Sequence, residues 1–357
     1  MVRRLASIQR VSALEPIAGA DFIELAQVCG WTCVVGKCAF SVGDLCVFLE
    51  IDAVPPQHQV FEWLWVKPKK DADGNRMELT EADRIRPGNF RIRTKKLRGV
   101  LSQGLLIPLK ELTAAGLLSG EFQEGEDLTE RLGVEKYEPV VPPSQGRGEL
   151  QGSFPEMVPK TDEARVQSVP SVIDELRGHP YVITLKCDGT SATFLIDPTD
   201  GEFKVCSRNF CVKDGDNVYW NIARKYNIEA HLRDWADYVI QGEIVGPGIQ
   251  GNRMGLAQHE LRAFNLFELA SGRYASHYRA DDILDMMDIP TVPVIDTGDD
   301  FQHTQETLLA LAEGKYPGTN NEREGIVIRP FIEMYSEALS GRLSFKVHSN
   351  RYLLKEE

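Results

Sequence analysis

In the stretch ITLKCDGTSATF a single lysine, Lys186, closes the apolar run YVITL, and Asp188 and Gly189 follow it. A lysine at the end of a strand, ahead of a tight turn into SATFLI, can project into a cleft between sheets. With an ordinary pKa of about 10.4 its amine is protonated at neutral pH, so service as a nucleophile requires surroundings that change its state, at about 1.4 kcal/mol per pKa unit. Lys-x-Asp-Gly alone is weak evidence, because a solvated turn lysine has the same pattern.

Further groups follow in order: SRN at 207–209, QGEIVGPG at 241–248, FNLFEL at 264–269, EGIVIRP at 324–330 and SFKVHSNRYLL at 344–354. Each also has a plain structural reading. Phe267 sits in an alternating strand and suits a core, Phe264 more so, Glu243 suits an exposed strand, and Glu324 follows the charged loop NNERE. Their joint order is what carries weight.

In that order and at those intervals the segments resemble the motifs of the covalent nucleotidyltransferase superfamily of ATP-dependent ligases and capping enzymes. Within it, GEIVGPGIQ and the SFK element followed by Asn350 are similar to the RNA ligase 2 type. The segments GDLCVFLEIDAVPP, RIRTKKLRGVLSQGLLIPL and FPEMVPKTDEARVQS resemble RNA ligase family 5, in which an OB domain precedes the nucleotidyltransferase domain.

The resemblance implies an ATP-dependent RNA ligase that joins a 3'-OH to a 5'-phosphate through a lysyl-AMP and an adenylylated 5'-end. Lys186 would be the nucleophile, and Lys346 would contact the α-phosphate. Arg208 and Glu243 would bind the ribose hydroxyls or order metal-bound water, and Phe267 would stack on adenine. Glu324 would hold Mg²⁺ or Mn²⁺, with Asp188 and Glu243 completing the carboxylates around it. Hard cations favour such oxygen ligands, phosphoryl transfer is mostly positioning and charge stabilisation, and aromatic faces accept bases. The chain departs from the RNA ligase 2 type at His348, which stands where a second lysine belongs. RNA ends are the implied partner, a nicked duplex in RNA repair above all, with no obligate protein partner. Two alternatives stand beside this reading. One is a non-catalytic OB-fold RNA-binding protein with a degenerate nucleotidyltransferase domain. The other is a GTP-dependent capping enzyme, opposed by the eleven residues after Lys346, too few for a trailing OB domain.

Short strands with turns between them, in GWTCVVG, LCVFLEI, RIRTKK and GLLIPL, predict a small OB-type β-barrel, with short helices at ELTAAGLL and DLTERLGV. The Pro- and Gly-rich run EPVVPPSQGRGELQGSFPEMVPK reads as a linker, dividing an OB-fold nucleic-acid-binding domain at 1–145 from a nucleotidyltransferase domain at 146–357. In the latter, strands mixed with helices such as VYWNIARKYNIEAHLRDW predict an α+β fold of antiparallel sheets flanked by helices.

Composition bounds the rest. The 357 residues are 42% hydrophobic and 26% charged, ordinary for a globular protein of about two domains. The net charge of -13 opposes non-specific coating of nucleic acid, yet RIRPGNFRIRTKKLR carries seven bases and no acid. Alternation places Arg91, Arg93 and Lys95 on one face of a strand, with Lys96 and Arg98 at its exit, as a nucleic-acid contact or as a solvated face. The seven cysteines lack zinc-ribbon spacing and are expected to be buried thiols. Neither a membrane span nor a secretory signal is evident, so an intracellular, cytoplasmic location is expected. Gly246, Gly248 and Gly251 match G-x-G-x-x-G, but no long helix follows, which opposes a Rossmann cradle.

Overall fold

Alternation in the N-terminal half buries one side of each strand and leaves turn residues between them. The structure, a computed structural model, describes residues 3–65, 77, 91–137 and 149–355. The chain divides into two compact units, Val2–Val140 and Val141–Glu356. The boundary expected between 145 and 146 lies outside the described residues, as does the basic run before Arg91.

The first unit holds β1 (Ala6–Pro16), β2 (Ile23–Val28), β3 (Trp31–Gly36), β4 (Leu45–Leu49), β5 (Ala53–Val54), β6 (Thr94–Leu97), β7 (Val100–Gln103), β8 (Leu105–Pro108) and β9 (Glu135–Lys136). Antiparallel pairing orders the main sheet β3-β2-β1-β4-β8 over a core that includes Ile8, Trp31 and Phe48. Thr32 Oγ1 donates to the Leu101 carbonyl at 3.1 Å and Val34 N to Ser102 Oγ at 3.0 Å, so β3 meets β7 through side chains. The result is the half-barrel of an OB fold.

Two details depart from expectation. ELTAAGLL gives the helix Leu109–Ala114, but DLTERLGV runs as turns. There Asp127 bridges to Ser7 and Thr129 Oγ1 accepts the Leu5 N–H at 2.9 Å, so the segment is tied to β1 instead of coiling. Cys29 and Cys38 are exposed, because both occupy left-handed turn positions, with φ of 49° and 62°, rather than strands.

The second unit holds β10 (Leu150–Ser153), β11 (Ala164–Arg165), β12 (Tyr181–Lys186), β13 (Thr190–Ile196), β14 (Phe203–Cys206), β15 (Phe210–Val212), β16 (Tyr238–Val245), β17 (Glu260–Glu268), β18 (Arg273–Tyr274), β19 (Val294–Gly298), β20 (Gly325–Pro330), β21 (Tyr335–Ser336), β22 (Gly341–Arg342) and β23 (Phe345–His348). Two large sheets result, β10-β15-β14-β13-β16-β17-β18 and β11-β23-β20-β12-β19. Each is covered on one face by helices. Phe194, Ile240 and Ile244 pack with residues of the helices Val218–Lys225, Ile228–Asp234 and His277–Met286. Ile183, Ile326, Ile328 and Val347 pack with residues of Val172–Leu176 and Gln305–Ala312. The remaining faces carry the polar residues of the motifs. Among the described residues no helix is long and apolar enough to cross a membrane.

Candidate active site

Cross-strand register assembles one wall of the site. Lys186 lies opposite Gly325, which lies opposite His348; one step along, Thr184 lies opposite Val327 and Val327 opposite Lys346. Directly paired residues share a face, so Lys186, Lys346 and His348 stand together, away from the Ile326 and Val347 side. Glu324 immediately precedes β20, and its Oε1 is 2.8 Å from Lys186 Nζ and 3.6 Å from His348 Nε2.

The other sheet supplies the second wall. Glu243 lies opposite Ser191 on β13 and Arg262 on β17. Gly189 lets these strands close up: a Cβ there would stand 2.3 Å from the Ile244 carbonyl oxygen and 2.8 Å from Glu243 Cγ. Gly325 does the same on the first wall, where a Cβ would meet the Val347 carbonyl oxygen at 2.1 Å.

Charge follows from this crowding. Burial alone would lower the Lys186 pKa, but Glu324 and Glu243, with help from Asp188, outweigh it and hold the ammonium above its ordinary value. Burial, reinforced by Glu324 and Asp188 against the pull of Lys186, pushes the Glu243 carboxyl up to about 8. Burial and then Glu324 likewise raise Asp188, against Lys186 and Arg253. Three carboxylates thus share one lysine in a desolvated place. A divalent cation fits this donor set, since hard oxygen ligands with surplus negative charge are what Mg²⁺ and Mn²⁺ take. Asp188 Oδ2 is buried without a hydrogen bond, although Arg253 Nε approaches it to 3.1 Å. Among the described residues no three acid, histidine or cysteine side chains form a metal cage by themselves.

Ser207, Arg208 and Asn209 join β14 to β15, with Ser207 N donating to the Phe210 carbonyl at 2.8 Å. Arg208 is exposed, pairs with Asp162, and acts on Glu243 as a nearby positive charge. Phe267 lies opposite Val239, on the sheet face that Glu243 shares. Its ring, however, is only 4% exposed, packed with Phe154, Val158 and Leu195 and edge-on to Tyr274 at 5.1 Å. The ring bordering open space is Phe264, read from sequence as core. It lines an open cleft with Thr184, Asn265, Arg329 and Arg342, and Lys186 is not in that lining.

The segment FPEMVPKTDEARVQS laces the two sheets together. Gln241 Nε2 donates to the Pro159 carbonyl at 2.8 Å, Glu163 pairs with Arg329 at 3.0 Å, and Arg165 lies parallel to Lys346. Sequence reasoning missed two residues near the nucleophile: Arg253, 3.1 Å from Asp188 and stacked on Tyr352 at 4.6 Å, and Tyr316, whose hydroxyl meets the Lys186 carbonyl. No local pattern marks them.

In the OB unit the basic residues separate. Arg91 is held by Asp52 at 3.4 Å and lies over the Tyr137 ring at 4.3 Å, and Arg93 is half-buried. Lys95, Lys96 and Arg98 are exposed at the tip of the β6–β7 hairpin, whose turn uses left-handed Arg98 and Gly99 with φ of 50° and 88°.

Comparison with known proteins agrees with this architecture. Residues 5–109 match a family model of an OB-fold domain, and residues 179–348 match the RNA ligase model. A Naegleria gruberi RNA ligase mutant solved with AMP and manganese is 32% identical, with 99% of each chain covered and a TM-score of 0.83. The chain belongs to the ATP-dependent RNA ligases. Another mutant of the Naegleria gruberi ligase, solved with ATP and manganese, and that ligase with pyrophosphate each align at 32% identity over 99% of both chains, with a TM-score of 0.84. No curated protein matched the sequence. For this RNA ligase the non-catalytic alternative is not favoured.

Proposed function

We propose that this RNA ligase carries AMP on Lys186 and seals a 3'-OH to a 5'-phosphate, nicked duplex RNA being its substrate. One observation carries the reading: Lys186 Nζ lies 2.8 Å from Glu324, and Glu243 and Asp188 act on the same ammonium. The Naegleria gruberi complexes with ATP, AMP and manganese support ATP and a divalent cation as its ligands.

Lys186 delivers its amine to the α-phosphorus of ATP, forming the N–P bond as the bond to pyrophosphate breaks. The 5'-phosphate of RNA then takes the AMP, and the 3'-OH attacks that activated phosphate and releases AMP. Lys346, on the same sheet face as Lys186, neutralises phosphate charge, and His348 takes the place beside it. Asp188, Glu243 and Glu324 would hold the cation, which supplies charge neutralisation at the phosphates. Displacing Glu324 from the ammonium also leaves Lys186 free to shed its proton. Arg208 and Glu243 hold the ribose.

For the adenine, Phe267 is the stacking ring, and the cluster around it must open to admit the base. Phe264 is the alternative, because it already borders the cleft. Alanine substitution of each separates them: the stacking ring is the one whose loss raises the KM for ATP about tenfold or more, as the loss of an aromatic contact implies.

The test is covalent labelling with α-labelled ATP and Mg²⁺, followed by denaturing electrophoresis. The parent protein is expected to retain label, while Lys186→Ala and Lys186→Arg retain none, the latter because guanidinium stays protonated. Label persisting on Lys186→Ala would sink the assignment. Sealing assays on matched nicked duplexes and single-stranded ends test the substrate.

A further inference from the structure

The backbone around the nucleophile is held by one buried side chain, Tyr316, from the loop that leads to Glu324. Its ring is 1% exposed and packs among Leu185, Cys187, Val245 and Val292. The hydroxyl donates to the Lys186 carbonyl at 3.1 Å, accepts the Asp188 N–H at 3.1 Å, and accepts the Glu324 N–H at 3.2 Å. A phenol has one donor and two acceptor positions, so its hydrogen-bonding capacity is filled by the backbone of three site residues.

We infer that Tyr316 is the positioning residue that locks the Lys186–Asp188 turn to Glu324. The inference rests on the reading that Lys186 carries AMP, and it adds what fixes the geometry of that transfer. The strand ladder cannot do this. Lys186 is the last residue of β12 and pairs with Gly325, the first of β20, so Asp188 and Glu324 lie just beyond the paired residues. Their N–H groups point to the same oxygen instead. Without it, two N–H groups and a carbonyl lose their partner in a desolvated place, and the turn is free to settle elsewhere. Phosphoryl transfer depends on placement, so a small displacement of Lys186 relative to Glu324 acts on the rate.

Tyr316→Phe isolates the hydroxyl, since it keeps the ring and its packing. Single-turnover adenylylation of Lys186 is expected to fall at least tenfold, with the KM for ATP changed less than twofold and the Mg²⁺ concentration for half-maximal loading raised severalfold. A ring that only packs would leave the rate and the Mg²⁺ midpoint at parental values. That result, with Lys186→Ala unable to label, overturns the inference and leaves the lysyl-AMP reading standing; label on Lys186→Ala overturns that reading instead. Amide hydrogen exchange in the parent protein gives a check that does not depend on the variant folding. The Asp188 and Glu324 amides are expected to be protected like those of β12 and β20, and fast exchange at both would overturn the inference.

Discussion

At Gly189 the absent side chain sets the distance between Lys186 and Glu243. Ala in its place would have to push back the Ile244 carbonyl, which is fixed in the ladder between β13 and β16. Overpacking of this kind costs about 1–3 kcal/mol. Gly189→Ala is therefore expected to lower the thermal midpoint and to cut Lys186 adenylylation at least tenfold; parental values for both would show that the strands have slack. Lys186, Asp188 and Glu324 could be singled out in the sequence because each belongs to a short segment in an ordered set. Tyr316 was not, since its three partners lie on backbone brought from two other places. Phe267 shows the limit of alternation: the alternating strand was legible, but not that Phe154 and Val158 cover the ring.

Among the elements, the helix Asn350–Lys355 depends most on a distant group. Glu313, just after the helix Gln305–Ala312, accepts from Asn350 N and from Ser349 Oγ, each at 2.8 Å. It serves as a cap borrowed from another part of the chain, satisfying N–H groups that a helix start leaves open. Loss of such a cap costs about 1 kcal/mol, so Glu313→Ala is expected to lower the melting temperature by about 2–4 °C. Limited proteolysis near Arg351 should quicken as well; an unchanged melt and cleavage rate would show that Ser349 and its neighbours hold the helix alone. Strands and helices of the second unit were readable from periodicity, and the main disagreement in the first, the turns at DLTERLGV, came from bonds to β1 that no local pattern reports.

For the whole molecule, net charge and local charge make different demands. An acidic protein that binds RNA needs bases placed where they are not already neutralised. Arg91 is engaged by Asp52, whereas Lys95, Lys96 and Arg98 stand exposed at one hairpin tip. Replacing those three by alanine is expected to flatten the dependence of RNA binding on salt by about 0.7 to 0.9 log units per lost contact for each tenfold change. Loading of Lys186 with AMP should stay near parental. A salt slope equal to the parent's would leave the tip as a solubilising surface. The OB fold itself was legible from the short strands and their turns. That Arg91 would be tied down was not, because Asp52 lies far from it in sequence.

The lacing of the second unit by residues 154–168 bears on how the enzyme comes into being. Arg329 and Glu163, 166 positions apart, must meet, and β11 must lie parallel to β23, before the two walls of the site are joined. Contacts of such long separation are slow to form, because loop closure is costly before any packing repays it. After dilution from denaturant, far-ultraviolet dichroism should recover ahead of the capacity to accept AMP. Simultaneous recovery of both would show that the last strand pairs as early as the first.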